Sequence, residues 1–195
     1  MADVKKKQLF GTNGVRGVVG ELMTPELVMN LARAVGSMRP GTVAIGRDTR
    51  TSGPALIEAA KAGLMSVGCS VVDCGILPTP ALQYLVKKHY DAGIVITASH
   101  NPGNYNGVKV IESDGTEMDD DHALLVEERV FSGTYATRGW EEVGGERSDP
   151  DGYREYVDGV VSPLPVNAGI GLTVVVDAGC GAAYRTTAEI LSRLG

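Results

Sequence analysis

The stretch Thr97-Ala98-Ser99-His100-Asn101-Pro102 sets a hydroxyl, an imidazole, an amide and a rigid turn directly after the apolar run Ala92-Gly93-Ile94-Val95-Ile96. A short apolar run bounded by Gly has the pattern of a strand covered on both faces. In open α/β sheets, ligands bind outside the carboxyl ends of the strands. Ser99 is therefore a candidate nucleophile or phosphate carrier. A Ser hydroxyl is a weak nucleophile at neutral pH, so it acts when a neighbouring base takes its proton or when it already holds a phosphoryl group as donor. His100 and Lys109 are the nearby groups suited to that proton work. The same residues also have a purely local reading, since Ser and Asn before Pro form turns and His100 can cap a carbonyl.

A second segment favours the chemical reading. Leu9-Phe10-Gly11-Thr12-Asn13-Gly14-Val15-Arg16-Gly17 holds three glycines and one arginine in nine residues. Glycine lets a backbone turn tightly and approach an anion, and arginine offers a bidentate fork for phosphate. Phosphoryl transfer asks a protein mainly for in-line positioning and for cations around the equatorial oxygens. Arg16, Arg47, Lys109 and a divalent metal would supply those cations.

Together these segments resemble the α-D-phosphohexomutase superfamily, whose members move a phosphate between the 1- and 6-positions of a hexose through a phosphoserine. The resemblance rests on Phe-Gly-Thr-Asn-Gly-Val-Arg-Gly at 10–17 and Ala-Ser-His-Asn-Pro at 98–102. It extends to Gly46-Arg47-Asp48-Thr49-Arg50 and to Tyr105-Asn106-Gly107-Val108-Lys109, which in the family sets a lysine beside the phosphoserine. The resemblance implies that Ser99 is the phosphoryl carrier and, through its phosphate, a metal ligand. It further implies that His100 and Asn101 orient the loop and that Lys109 shuttles a proton or stabilises charge. Thr12, Asn13, Arg16, Arg47 and Asn101 would contact substrate or phosphate, with the alternative that Arg47 pairs with Asp48 and braces the fold. The implied substrate is a hexose or hexosamine phosphate, with glucosamine, mannose and glucose phosphates all open. The implied cofactors are Mg2+ and a glucose 1,6-bisphosphate-type activator.

Family members have four domains around a cleft. The resemblance places residues 1–150 in the first domain, with the phosphoserine loop, and residues 151–195 in a linker helix and the opening βα unit of the second. The family's magnesium loop, sugar-recognition loop and distal phosphate loop have no counterpart in this sequence. The expectation is an N-terminal portion that does not turn over a sugar phosphate alone, and that pairs with the missing domains or with itself.

The elements that must position these residues follow from caps and periodicity. Thr24-Pro25 is an N-cap followed by proline, and Leu27, Val28, Leu31, Ala34, Val35 and Met38 repeat at helical spacing up to Pro40-Gly41. A strand from Thr42 leads to a helix opened by Ser52-Gly53-Pro54 and stopped near Gly68. A strand around Val71-Val72 and a helix begun by Thr79-Pro80 come next, and the strand that delivers Ser99 follows. Val108 to Ile111 and Thr116 to Met118 flank Ser113-Asp114-Gly115, a hairpin signal. The predicted fold is a three-layer α/β/α domain with a mixed, mostly parallel sheet whose edge is antiparallel. Asp119, Asp120 and Asp121 read as the start of a helix over Ala123 to Val130 rather than a metal cluster, because carboxylates favour a helix N-terminus. His122 and His89 read as exposed. Residues 133–149 read as a loop, Tyr153 to Val160 as a helix, Leu172 to Asp177 as a fresh strand, and Tyr184 to Leu194 as a final helix.

Composition restricts the classes. The chain has 195 residues, 43% of them hydrophobic, with 26 Gly and a formal charge of −6, which fits a globular α/β protein and argues against a dedicated nucleic-acid surface. Lys5-Lys6-Lys7 is a short basic run with the pattern of a solvated terminus. Cys69, Cys74 and Cys180 form no CxxC pair and read as reduced thiols in or near the core of a cytoplasmic protein. No window approaches the ~20 apolar residues of a membrane span. Val-Asp-Ala-Gly-Cys-Gly at 176–181 also resembles a methyltransferase cofactor motif, but in the mutase family the same strand and glycine turn are packing and turn chemistry. A serine hydrolase is disfavoured by the absence of a Gly-x-Ser-x-Gly elbow. A non-catalytic module that binds phosphosugar or a partner chain is the remaining alternative.

Overall fold

A computed structural model describes residues 7–195; Lys5 and Lys6 of the basic run lie outside the described residues. The chain forms β1 (Phe10–Gly11), β2 (Gly14–Val18), α1 (Pro25–Met38), β3 (Thr42–Arg47), α2 (Gly53–Ser66), β4 (Ser70–Ile76), α3 (Thr79–His89), β5 (Ala92–Ile96), β6 (Tyr105–Glu112), α4 (Asp120–Ser132), β7 (Glu146–Ser148), α5 (Tyr153–Val161) and α6 (Tyr184–Arg193). The seven strands make one mixed sheet in the order β1-β2-β6-β5-β3-β4-β7. β5, β3, β4 and β7 run parallel, while β6, β2 and β1 form the antiparallel side.

Alternation along the strands divides the core into two layers. Val43, Ile45, Val71, Ile94, Ile96, Val108 and Val110 face α1, α2 and α4. Ala44, Val72, Val95 and Ile111 face α3, with Tyr156 of α5 packed alongside. Every residue of β5 is buried, as a strand covered on both faces requires. Thr24 Oγ1 accepts from the Leu27 amide and Asp119 Oδ1 from the His122 amide, so both predicted helix starts form as capped ends. Ser52 precedes α2 without a side-chain cap, and its hydroxyl accepts instead from buried Asn106 of β6 at 2.9 Å.

Three segments depart from the sequence reading. Glu146–Ser148, within the predicted loop, pairs in parallel with β4 as an edge strand. Lys61 of α2 fixes that edge: its buried ammonium lies 2.8 Å from Glu146, 2.5 Å from Asp73 of β4 and 2.9 Å from Glu58. Burial alone would lower the Lys61 pKa, but these carboxylates outweigh it and hold it well above the ordinary lysine value. The return of the predicted hairpin, Thr116 to Met118, forms only one isolated bridge, Ile111 to Glu117. Leu172 to Asp177 forms no strand at all: no described neighbour offers it a ladder, and Val175 is 94% exposed.

α5 fastens to the second layer, and α6 packs on α5. Glu155 of α5 bonds His89 Nε2 at 2.8 Å and Lys88 Nζ at 3.2 Å. Burial would raise the Glu155 pKa, but these two partners hold it below the ordinary glutamate value. Tyr84 and Tyr156 meet edge to face with centroids 6.0 Å apart. Among the described residues, no helix is long and apolar enough to cross a membrane.

Candidate active site

β5 ends at Ile96, and the chain then turns sharply. Ser99 takes φ +55°, the left-handed region that a non-glycine residue enters at a cost of about 1–2 kcal/mol. Local bonds hold it there. Thr97 Oγ1 accepts from the Ser99 amide at 3.0 Å and donates to Asp48 Oδ2 at 2.7 Å. The Asn101 amide bonds the Ala98 carbonyl at 3.1 Å. His100 Nδ1 stands 3.4 Å from Ser99 Oγ, a long contact at the limit of hydrogen bonding.

The loop after β3 reaches over from the neighbouring strand. Arg50 Nη2 donates to the Ser99 and Asn101 carbonyls at 3.0 and 2.6 Å, and its Nη1 to those of Pro102 and Tyr105 at 2.6 and 3.0 Å. Arg50 Nε meets Asp48 Oδ2 at 3.1 Å, and Asp48 Oδ1 accepts from the Arg50 amide at 3.0 Å. Arg47, one residue upstream of this pair, donates from Nη1 to the Asp48 carbonyl at 3.0 Å.

Ser99 and His100 separate two clefts. The first, of about 380 Å³, is lined by Thr12, Asn13, Arg16 and Lys109 together with Ser99 and His100. Its wall depends on Gly14, at φ +84°, where an added Cβ would stand 2.3 Å from the Val108 carbonyl oxygen; β1 and β2 therefore reach the sheet only with glycine there. Arg16 Nη1 donates to Asn101 Oδ1 at 3.2 Å, while its buried Nε has no hydrogen-bond partner. Lys109, 8% exposed on β6, bonds Glu117 Oε1 at 2.7 Å. With its amide turned to satisfy both neighbours, Asn13 donates to the Thr12 carbonyl at 2.8 Å and to Glu117 Oε2 at 3.2 Å.

The second cleft, of about 550 Å³, opens at the carboxyl ends of β3, β4 and β5 and is closed by residues 179–183. Thr49 Oγ1 donates to the Cys180 carbonyl at 2.7 Å, and Asp177 Oδ1 accepts from the Gly179 amide at 2.8 Å. Cys180 is exposed, at φ +54° in this glycine turn, contrary to the expectation of a core thiol; Cys69 and Cys74 are buried. Burial pushes the Cys74 thiol up to about 12 and raises that of Cys69 as well.

Six of the sequence-predicted residues thus meet in one cleft: Thr12, Asn13, Arg16, Ser99, His100 and Lys109. Asn101 lines the other, and Arg47 lines neither. The sequence names Asp48 only as a possible partner of Arg47, whereas its carboxylate pairs with Arg50 and Arg47 reaches just the Asp48 carbonyl. Sequence reasoning does not single out Arg50, although it lies in the charged 46–50 segment, or Glu117, for which there is no local signal. A larger cleft of about 890 Å³ beside α4 is mainly apolar, and its buried Glu127 already accepts the Gln8, Leu9 and Phe10 amides.

Among the described residues, no group of three or more His, Cys, Asp or Glu side chains converges as a metal site. The carboxylate beside the Ser99 loop, Asp48, is already engaged by Arg50 and Thr97. Magnesium binding normally needs one or two free carboxylates beyond a phosphate oxygen. These residues alone do not make a magnesium site.

Residues 7–137 match the family model for phosphoglucomutase/phosphomannomutase, alpha/beta/alpha domain I. The phosphoglucosamine/phosphogalactosamine mutase of Sulfurisphaera tokodaii is 42% identical over 82% of this chain and 36% of its own length. The phosphoglucomutase/phosphomannomutase of Thermococcus kodakarensis is 40% identical over 96% of this chain and 43% of its own. A crystal structure of a phosphoglucomutase/phosphomannomutase family protein from Burkholderia thailandensis superposes with a TM-score of 0.85 at 30% identity, covering 96% of this chain and 42% of that one. The chain spans less than half the length of the curated relatives it matches.

Proposed function

The chain belongs to the phosphoglucomutase/phosphomannomutase family through its α/β/α domain I, and from that premise we propose that Ser99 carries the phosphoryl group of a phosphohexomutase. The substrate class is a hexose or hexosamine 1- or 6-phosphate. The observation that carries the reading is the single cleft in which Ser99 and His100 face Arg16 and Lys109. A bond from phosphoserine phosphorus to a sugar hydroxyl oxygen forms as the Ser99 Oγ–P bond breaks. The sugar proton passes by way of a base to the departing Ser99 Oγ, and the reverse transfer, of the phosphate from the other sugar position to Ser99 Oγ with return of that proton to the sugar oxygen, restores the phosphoserine.

The residues divide this work by charge and reach. Arg16, with its unpaired buried Nε, supports the reading as an anion contact, because a buried guanidinium N–H without an acceptor is costly until an oxygen meets it. Lys109 adds positive charge at the transferring oxygens and, with His100, is the group placed to hold or move the proton. Thr12 and Asn13 shape the cleft mouth. Magnesium would count the Ser99 phosphate among its ligands, and its carboxylates would come from outside these residues. Taken alone, this stretch carries the phosphoserine part of the reaction and does not interconvert sugar phosphates.

The test is intact mass and peptide mapping after incubation with glucose 1,6-bisphosphate and magnesium. One added phosphate on Ser99, lost in Ser99→Ala, is the expected result. Phosphate retained in Ser99→Ala, or sugar phosphate bound by a chain that never gains phosphate, overturns the reading; the second outcome would describe a non-catalytic binding module.

A further inference from the structure

We propose that Arg50, held by Asp48, is the positioning residue that keeps Ser99 in its left-handed conformation. The inference rests on the reading of Ser99 as phosphoryl carrier and deepens it. A guanidinium has five N–H donors in a rigid fork. In Arg50 all five have acceptors: Asp48 Oδ2 and the carbonyls of Ser99, Asn101, Pro102 and Tyr105. Three of these acceptors belong to the turn that begins at the residue whose hydroxyl is to react, and Tyr105 is where that turn enters β6.

Asp48 completes the device. Its Oδ2 receives both Arg50 Nε and the Thr97 hydroxyl, and that same hydroxyl oxygen accepts the Ser99 amide. The Ser99 peptide is therefore gripped at both ends, its amide through Thr97 and its carbonyl through Arg50, and both grips meet at one carboxylate. The side chains of Arg50 and Asp48 are 12% and 15% exposed, so solvent exerts little competition for the bond between them. Between them in sequence, Thr49 ties the glycine turn at Cys180 to the same loop. The loop after β3 thus fixes two walls of the cleft beside Ser99.

Lysine cannot replace this fork, because an ammonium has three donors and no plane. The experiment compares the 195-residue chain with Arg50→Lys, and with Arg50→Ala in the presence and absence of guanidinium. Amide exchange over residues 98–105 and the rate of Ser99 phosphorylation by glucose 1,6-bisphosphate with magnesium are followed in each. In Arg50→Lys, loop exchange is expected to quicken several-fold. The phosphorylation rate at saturating bisphosphate should fall about 100-fold, the scale of a small misplacement of a reacting group, with the half-saturating concentration unchanged. Guanidinium should restore much of the rate to Arg50→Ala.

Unchanged loop exchange in Arg50→Lys overturns the proposal, as does a loss confined to half-saturation. If Arg50 variants fail to fold, Thr97→Val removes the amide grip together with one bond to Asp48 and must show the same exchange change. If the unaltered chain gains no phosphate, the transfer requires groups outside these residues, and loop exchange still decides whether Arg50 holds the turn.

Discussion

The Lys109 ammonium lies 2.7 Å from Glu117 Oε1, while Glu117 Oε2 accepts from Asn13, so one carboxylate on the far side of a turn aims two residues of the Ser99 cleft. Lys109 comes from β6 and Asn13 from the link between β1 and β2. Glu117 joins them through an isolated bridge to Ile111, without needing a strand of its own.

That arrangement separates charge supply from charge placement. Lys109→Met should slow Ser99 phosphorylation about 100-fold, the scale seen when one preorganised cationic or hydrogen-bonding partner is removed. Glu117→Gln, which keeps the shape and weakens the hold, should slow it less. Time-resolved intact mass reads both. Equal losses would mean that Glu117 acts on more than the position of Lys109.

Lys61 gives a stability prediction. Lys61→Met leaves Asp73 and Glu146 without their shared cation and should cost about 2 kcal/mol, less than for fully buried pairs because the carboxylates are partly exposed. Thermal unfolding should show a Tm lower by roughly 6 °C. The folded pKa of Lys61 is raised, so its contribution is complete below the ordinary lysine value and is lost only as pH rises through the folded one. The gap between the two proteins should therefore stay constant from neutral pH upward and narrow only in strong alkali.

Of the three cysteines, Cys180 alone should react with a maleimide in the folded chain, as Cys69 and Cys74 are buried and their thiols shifted upward. Peptide mapping after brief labelling checks this. The adduct projects beside the turn at 179–183, which lines the second cleft, so labelled protein should also accept phosphate on Ser99 more slowly.

How far sequence predicts this structure depends on whether a signal is local. The caps at Thr24 and Asp119, the buried β5 and the exit of Ser99 from its end are all local patterns, and all are present. Leu172 to Val176 has strong strand propensity yet forms none, whereas Glu-Arg-Ser at 146–148 pairs because β4 offers an edge and Lys61 a counter-charge. Propensity describes a residue; a ladder needs a neighbour. The same limit explains Arg47 and Arg50. Both stand in one charged segment, and only the spatial adjacency of β3 to β5 decides which of them reaches the Ser99 turn.

The dihedral angle at Ser99 has a stereochemical consequence for the carrier role proposed for it. Threonine offers a hydroxyl of similar acidity, but its second β-substituent resists the left-handed region, where a β-branched residue is an outlier. The turn therefore discriminates between the two aliphatic alcohols of the protein alphabet before any sugar arrives. For the proposed carrier, a primary alcohol fits this backbone at lower cost than a β-branched one, so main-chain geometry would favour serine over threonine there independently of nucleophilicity.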